Sequence, residues 1–242
     1  MTEHGLGALR SPADPRDFSA AVLLPPTAPS LPVQVALPPG GAWDQGTEGT
    51  CVGHGVGLAA VVAIHKATGK WIVTNPADGH RLGRDLYYQT THDATYSYGT
   101  WARLALRTAL KLGVLGSDGK RHKIGGYHSL LPSADIRSAV ELALAAGMIV
   151  NVSYGWPKRW MLDTAPFDTL PSPGVADVGG HNVSIWRAAM KHPTAGSTSL
   201  RRDHSLRNSW GSAWFGDGAA YFNSAIETTP RLWEAWVITA GG

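Results

Sequence analysis

The sequence predicts an α+β fold in which helices and strands are segregated along the chain, and three observations point to it. Helical patterns concentrate in the first 146 residues. After Gly147 the texture changes to short apolar runs separated by Gly, Pro, Ser and Asp. The 242 residues, 43% of them hydrophobic, suffice for one catalytic-sized unit or two lobes that share a cleft.

The elements follow in order. Residues 1–30 form a proline-rich arm, with Pro15, Pro25, Pro26 and Pro29, and Pro32, Pro38 and Pro39 continue the pattern. Such a segment is expected to run extended across the surface of the core. Leu31 to Leu37 alternates weakly and suits an edge strand. From Thr50 to about Lys66 the chain is apolar or small on nearly every side, which describes a buried helix. Gly53, Gly55 and Gly57 each weaken it by up to ~1 kcal/mol relative to Ala, so close packing must offset them. A second helix is predicted over Trp101 to Leu112 and a third over Ala134 to Ala146, with Ser133 as its N-cap. Strands are predicted over Met148 to Tyr154, Asn182 to Trp186, Ser205 to Asn208, Ala219 to Phe222 and Trp233 to Ile238.

Composition excludes several classes. The 21 basic and 18 acidic residues are interspersed, giving a formal charge of +3 without a basic stripe, so no nucleic-acid partner is expected. The first 30 residues carry no basic start followed by an apolar run, and no stretch approaches the ~20 apolar residues of a membrane span. The chain reads as unexported, with a cytoplasmic or virion-associated setting and no membrane partner. A single cysteine, Cys51, forbids an intramolecular disulfide. No cofactor is implied. No metal site is expected either, because His122 and His128 lack a neighbouring ligand pair.

The chemistry-bearing residues begin with that cysteine. Cys51 opens the first helix, where the macrodipole favours a thiolate. Ahead of it, Asp44-Gln45-Gly46-Thr47-Glu48-Gly49-Thr50 is a loop whose glycines let a bound carbonyl approach. A thiol nucleophile needs a base and donors for the oxyanion. Among ten histidines, His181 stands out because Gly179 and Gly180 clear space before it at a strand start. The third cluster is Asn208-Ser209-Trp210-Gly211, followed by Trp214-Phe215-Gly216-Asp217-Gly218.

These motifs resemble those of papain-like cysteine peptidases. Asn-Ser-Trp-Gly with its following Trp resembles the segment around the family's orienting Asn, and Asp44-Gln45-Gly46 its Asp-Gln-Gly stretch before the nucleophile. Gln45 precedes Cys51 by six residues, while His181 and Asn208 follow it by 130 and 157, as the numbering gives. The family's spacing is ~130 to 150, and the excess is expected in the loop between Trp186 and Asp203. Gly99-Thr100 resembles the family's cleft-lining glycine segment, and the Pro15-Arg16-Asp17-Phe18 arm an extension of some bacterial and phage members.

The resemblance implies a two-lobed fold: a helical lobe of about 43–146 with a buried nucleophile helix, packed against an antiparallel, barrel-like β lobe of about 147–242. It implies residues 31–242 as one peptidase unit acting on peptide or protein substrates. Cys51 is then the nucleophile, His181 the base, Asn208 its orienter and Gln45 an oxyanion donor, with Gly99, Gly180 and Trp210 lining the substrate site. Two departures are plain: Glu48 stands where the family usually has a disulfide cysteine, and Val52 where it has an aromatic. The arm is too short and too proline-rich to form the family's long inhibitory helices, so it is expected to lie on the core. Competing readings are a papain-fold amidase or isopeptidase acting on a cell-wall amide, and a non-catalytic binding protein on the same fold. Asn151-Val152-Ser153 and Asn182-Val183-Ser184 match a glycosylation acceptor and are read as structural.

Overall fold

The computed structural model describes residues 4–27, 29–161, 169–191, 201–223 and 230–241. Its centre is α1 (Cys51–Thr68), in which every residue from Cys51 to Ile64 is buried. One flank of α1 packs against α2 (Pro76–Thr91) and α3 (Ala102–Lys111), the other against the sheet. An apolar surface all round suits a helix enclosed on all sides. Helix α1 is also long and apolar enough to cross a membrane, contrary to the sequence expectation, but most of it lies inside the fold.

The three glycines of α1 show why the helix tolerates them. A Cβ on Gly53 would lie 2.1 Å from the Gly83 carbonyl oxygen of α2, and one on Gly57 2.3 Å from the Leu82 side chain. On the opposite flank a Cβ on Gly55 would lie 2.0 Å from Asn182 Oδ1. Gly53→Ala is therefore expected to destabilise the fold by about 1–3 kcal/mol, because overlap with the α2 backbone outweighs the helix-propensity gain of ~1 kcal/mol. Urea denaturation of the two proteins checks the sign.

The sheet is antiparallel throughout. Strands β2 (Val33–Gln34), β6 (Ile124–Ser129), β7 (Val150–Pro157), β8 (Asp177–Lys191), β9 (Arg201–Arg207), β10 (Ala219–Asn223) and β11 (Leu232–Ala240) run in the order β10-β9-β8-β7-β11-β6, with β2 on β8, while β4 (Val114–Leu115) and β5 (Arg121–His122) pair with each other outside it. Helix α4 (Ile136–Ala145) packs against β8 and β7. The expected strands are all present, and β8 and β9 extend into the segment read as a loop, of which 192–200 fall outside the described residues.

Some elements escaped the pattern reading. Helix α2 carries two glycines and a narrow buried stripe of Leu82, Leu86 and Tyr87, too thin to stand out as a 3.6-residue period. Its start was nonetheless encoded: the Asn75 side chain accepts from Asp78 N at 2.9 Å and Pro76 occupies the first turn. Strand β6 was missed because Gly125 and Gly126 interrupt its alternation. The N-cap of α4 is Asp135 rather than Ser133, and Asp135 Oδ1 accepts from Ser138 N at 3.2 Å.

The N-terminal arm departs most from expectation. Beyond residue 10 it runs over the outside, but β1 (Ala8–Leu9) pairs in parallel with β3 (Thr100–Trp101), which places residues 4–9 between the helices and the sheet. The alternating small residues of Gly5-Leu6-Gly7-Ala8 make this possible, because a Cβ on Gly5 or Gly7 would lie 1.9 Å from Glu48 O or 2.0 Å from Gly49 O.

Candidate active site

Helix α1 meets β8 near its first turns. Ser184 Oγ donates to Gly55 O at 3.3 Å, and the buried Asn182 amide pairs with Asn151 at 2.7 Å and with Ser153 Oγ at 3.0 Å. These bonds satisfy the two supposed glycosylation asparagines inside the core. The same contact brings the Asn182 backbone N–H to the Cys51 sulfur, one residue beyond His181. Cys51 is fully buried.

Register brings the third group. Strand β9 pairs with β8 so that Arg207 faces Ser184, and continuing both strands sets Asn208 and Trp210 beside His181. His181 Nε2 lies 2.7 Å from Asn208 Oδ1, which also accepts from Ser209 N at 2.8 Å. An oxygen that takes one N–H from the backbone acts as acceptor toward the ring as well, so Nε2 carries the proton. Nδ1 is left as the lone-pair nitrogen, buried and without a hydrogen-bond partner among the described residues. Trp210 and Trp156 pack on the ring with centroids 4.6 Å away and keep water from the Asn208 bond.

Gln45 is held by the same segment. Gln45 N donates to Ser209 O at 2.8 Å, Gly211 N to Trp43 O at 3.0 Å, and Ser209 Oγ to Gln45 Oε1. With its oxygen occupied, the Gln45 amide presents its N–H groups, one to Glu48 O at 2.6 Å and one to the carbonyl of Gly5 at 3.2 Å. Thus four residues spread over 164 positions of sequence converge on one buried junction of helix and sheet.

No family model matches the chain, and no curated protein matches it either. Solved structures do. Xylellain, a cysteine protease from Xylella fastidiosa, superposes with a TM-score of 0.73 at 20% identity, covering 100% of this chain and 98% of that one. Digestive procathepsin L 3 of Tenebrio molitor larval midgut gives 0.70 at 15%, covering 98% and 76%, and recombinant stem bromelain precursor gives 0.66 at 12%, covering 99% and 78%. The chain has the papain-like cysteine protease fold. At these identities the likeness carries the fold and not the activity.

The residues expected to line a substrate site are placed as follows. Gly99, at φ 71°, receives no side chain because a Cβ there would lie 2.3 Å from Gly7 O. Thr100 N donates to that same oxygen at 2.8 Å, and Gly7 N donates to Gly180 O at 3.1 Å. Tyr87 supports the rim: its hydroxyl accepts from Gly99 N at 3.1 Å and donates to Asp93 Oδ2 at 2.9 Å. At the other end His4 stacks on Trp210 with centroids 4.2 Å apart and planes 5° from parallel.

Electrostatics follow from enclosure. Burial pushes the Cys51 thiol up to about 11, against the pull of backbone N–H groups of Asn182, Gly7, Val52 and Ala8. Burial likewise lowers His181 to about 3, opposed by its bond to Asn208. His54, whose place in the site the sequence did not show, lies under the first turn of α1. Its Nδ1 is 3.0 Å from Thr50 O and its Nε2 3.2 Å from His80 Nδ1, and burial lowers it to about 3 from 6.5. Both histidines bind fewer protons folded than unfolded, so they stabilise the fold fully above pH 6.5 and lose that contribution as pH falls toward 3. Unfolding free energy measured between those limits is expected to fall with acid, and His54→Gln is expected to flatten the slope.

The family departures are absorbed locally. Glu48 pairs with Arg84 at 3.1 Å, and Arg84 lies 4.1 Å over the Tyr96 ring, so an ion pair and a ring stand at the position of the usual disulfide cysteine. Such a half-exposed pair is worth ~0–1 kcal/mol, less than a covalent link. Val52 is fully buried in the core. Among the described residues no group of three or more His, Cys, Asp or Glu is placed to hold a metal ion.

Proposed function

We propose that this chain is a cysteine peptidase that hydrolyses peptide bonds in peptide or protein substrates through an acyl-enzyme. Cys51 is the nucleophile, His181 the base, Asn208 the residue that orients it, and Gln45 with the Cys51 backbone N–H the oxyanion donors. The observation that carries this reading is the state of His181: Nε2 bonded to Asn208 and Nδ1 buried without a partner among the described residues, next to the residue whose backbone reaches the Cys51 sulfur. A ring so held is ready to take a proton at Nδ1 and no other atom.

The chemistry runs in two halves. The thiol proton passes to His181 Nδ1, and the sulfur attacks the carbonyl carbon, whose oxygen gains the negative charge and is met by the Gln45 Nε2–H. Collapse expels the amine, which takes the proton from His181, and leaves a thioester. A water, deprotonated by the same nitrogen, then releases the acid and restores the thiol. Gln45 Nε2 already donates to a main-chain carbonyl, that of Gly5, which supports its role as a carbonyl-facing donor. The aromatic cover of Trp210 and Trp156 keeps the Asn208 to His181 bond in low dielectric, where it is strongest.

Hydrolysis of a fluorogenic peptide library by the full chain, together with its loss in Cys51→Ala, tests the reading. Capture of a thioester on Cys51 by intact mass after acid quench is the supporting result. Absence of hydrolysis in the wild type and in variants whose residue 4–9 segment is displaced would overturn it.

A further inference from the structure

We propose that a groove on the far side of Asn208 from His181 is a binding site for an aliphatic carboxylate, whose occupant fixes the amide that orients the His181 ring. The site stands on its own geometry, and its effect on turnover rests on the peptidase reading. The groove has a volume of about 350 Å³ including its open mouth; Leu37, Pro38, Trp43 and Leu58 wall it, and Arg207 and Asn208 supply its polar end. Cys51, His181 and Gln45 do not line it, so it is separate from the substrate cleft.

Asn208 points to an oxygen-bearing ligand. It is 2% exposed. Its Oδ1 accepts from His181 Nε2 at 2.7 Å and from Ser209 N at 2.8 Å, and its backbone N–H donates to Gly218 O at 2.8 Å. Nδ2, the opposite end of the same amide, is buried with no partner among the described residues. A carboxamide is planar, so with Oδ1 turned to His181 the two N–H groups of Nδ2 point away from the ring, toward the groove that Asn208 lines. A buried donor left unpaired carries its full desolvation cost, which an acceptor oxygen in the groove removes.

The rest of the ligand's chemistry follows from the neighbouring cation and the walls. The Arg207 side chain is 9% exposed, and among the described residues it is paired only with Asp217, whose carbonyl accepts from Nη1 and whose 67% exposed carboxylate lies 3.4 Å away. Burial lowers the guanidinium from its ordinary value in spite of Asp217, the mark of a cation with too little counter-charge. A carboxylate supplies that charge and has an oxygen for each of Arg207 and Asn208. The apolar walls call for an aliphatic body, because a sugar or a phosphate would set polar groups against them unpaired. With Nδ2 bonded, both ends of the Asn208 amide are held, and its polarised Oδ1 accepts more strongly from His181. The acid therefore raises kcat without entering the cleft.

Hexanoate is titrated into full-length wild type, Arg207→Gln and Leu37→Trp, and read by Tm and by the NMR ring resonances of His181. Arg207→Gln removes the cation, and Leu37→Trp fills the mouth of the groove from a half-buried position. In the wild type Tm is expected to rise saturably and the His181 resonances to shift, with a Kd at least about tenfold weaker in both variants. N-acetyl-alanyl-leucine separates the two sources of such a carboxylate: tighter binding than hexanoate assigns the site to a peptide C-terminus, weaker binding to a free aliphatic acid. Equal binding of hexylammonium and hexanoate overturns the acid site, as does a wild type that responds to neither. In peptide hydrolysis hexanoate is expected to raise kcat by about twofold or more at unchanged KM, as better orientation of the base requires. A rise in KM instead places the acid in the cleft and overturns the groove, and bound hexanoate with kcat and His181 unchanged overturns the coupling. The two readings fail separately: hexanoate that binds and shifts His181 in a protein that hydrolyses no peptide removes the peptidase and leaves the site, whereas hydrolysis without saturable binding removes the site and leaves the peptidase.

Discussion

His181→Ala is expected to lower kcat for peptide hydrolysis by about 10⁴-fold or more with a much smaller change in KM. The imidazole takes the thiol proton and returns it to the leaving amine, so its loss removes both transfers while the cleft that binds peptide is untouched. The pH profile of alkylation distinguishes this from a structural effect. An unpaired Cys51 thiol should label with an apparent pKa near the ordinary ~8.5, while a thiol paired with His181 labels well below it. The alanine also leaves Asn208 Oδ1 its bond from Ser209 N, so the loop geometry should persist. Activity within tenfold of the parent would mean that another group is the base.

Gln45→Ala is expected to cost about 10²–10³ in kcat, the loss typical of one oxyanion donor. Gln45→Glu separates donor chemistry from packing. It preserves the shape and the acceptor for Ser209 Oγ, but removes the N–H that now points at Gly5 O and sets an acid group against Glu48 O. A comparable loss in Gln45→Glu assigns the effect to the missing donor; full activity there would place the oxyanion elsewhere. Both variants should also label with iodoacetamide at the parental rate, because activation of the thiol belongs to His181 and α1.

Cys51, His181, Asn208 and Gln45 come from short motifs visible in the sequence, and the structure places Cys51 at the start of α1, Asn208 just after β9, and His181 inside β8, which begins at Asp177 and so takes in the glycines expected to precede a strand. The buried character of α1 was also legible, since an apolar residue on every side leaves a helix no exposed face. Helix α2 and strand β6 were less so, as glycine and proline in their windows blurred the period that reveals an element.

Three matters were decided by tertiary structure. Which nitrogen of His181 is free follows from Asn208 Oδ1 being fixed by Ser209 N, a bond that exists only once the strand after β9 has turned. That His54 supports the first turn of α1 follows from helix packing, because a histidine inside an apolar run carries no local mark of what faces it. The course of the arm is the third. Its prolines specified an extended chain, and the alternating Gly5 and Gly7 specified where it can pass close to another backbone, yet extended backbone bonds equally to any surface with matching donors and acceptors. Only the assembled cleft, with Gln45, Gly180 and Thr100 brought together from distant parts of the chain, supplies those partners and selects one path.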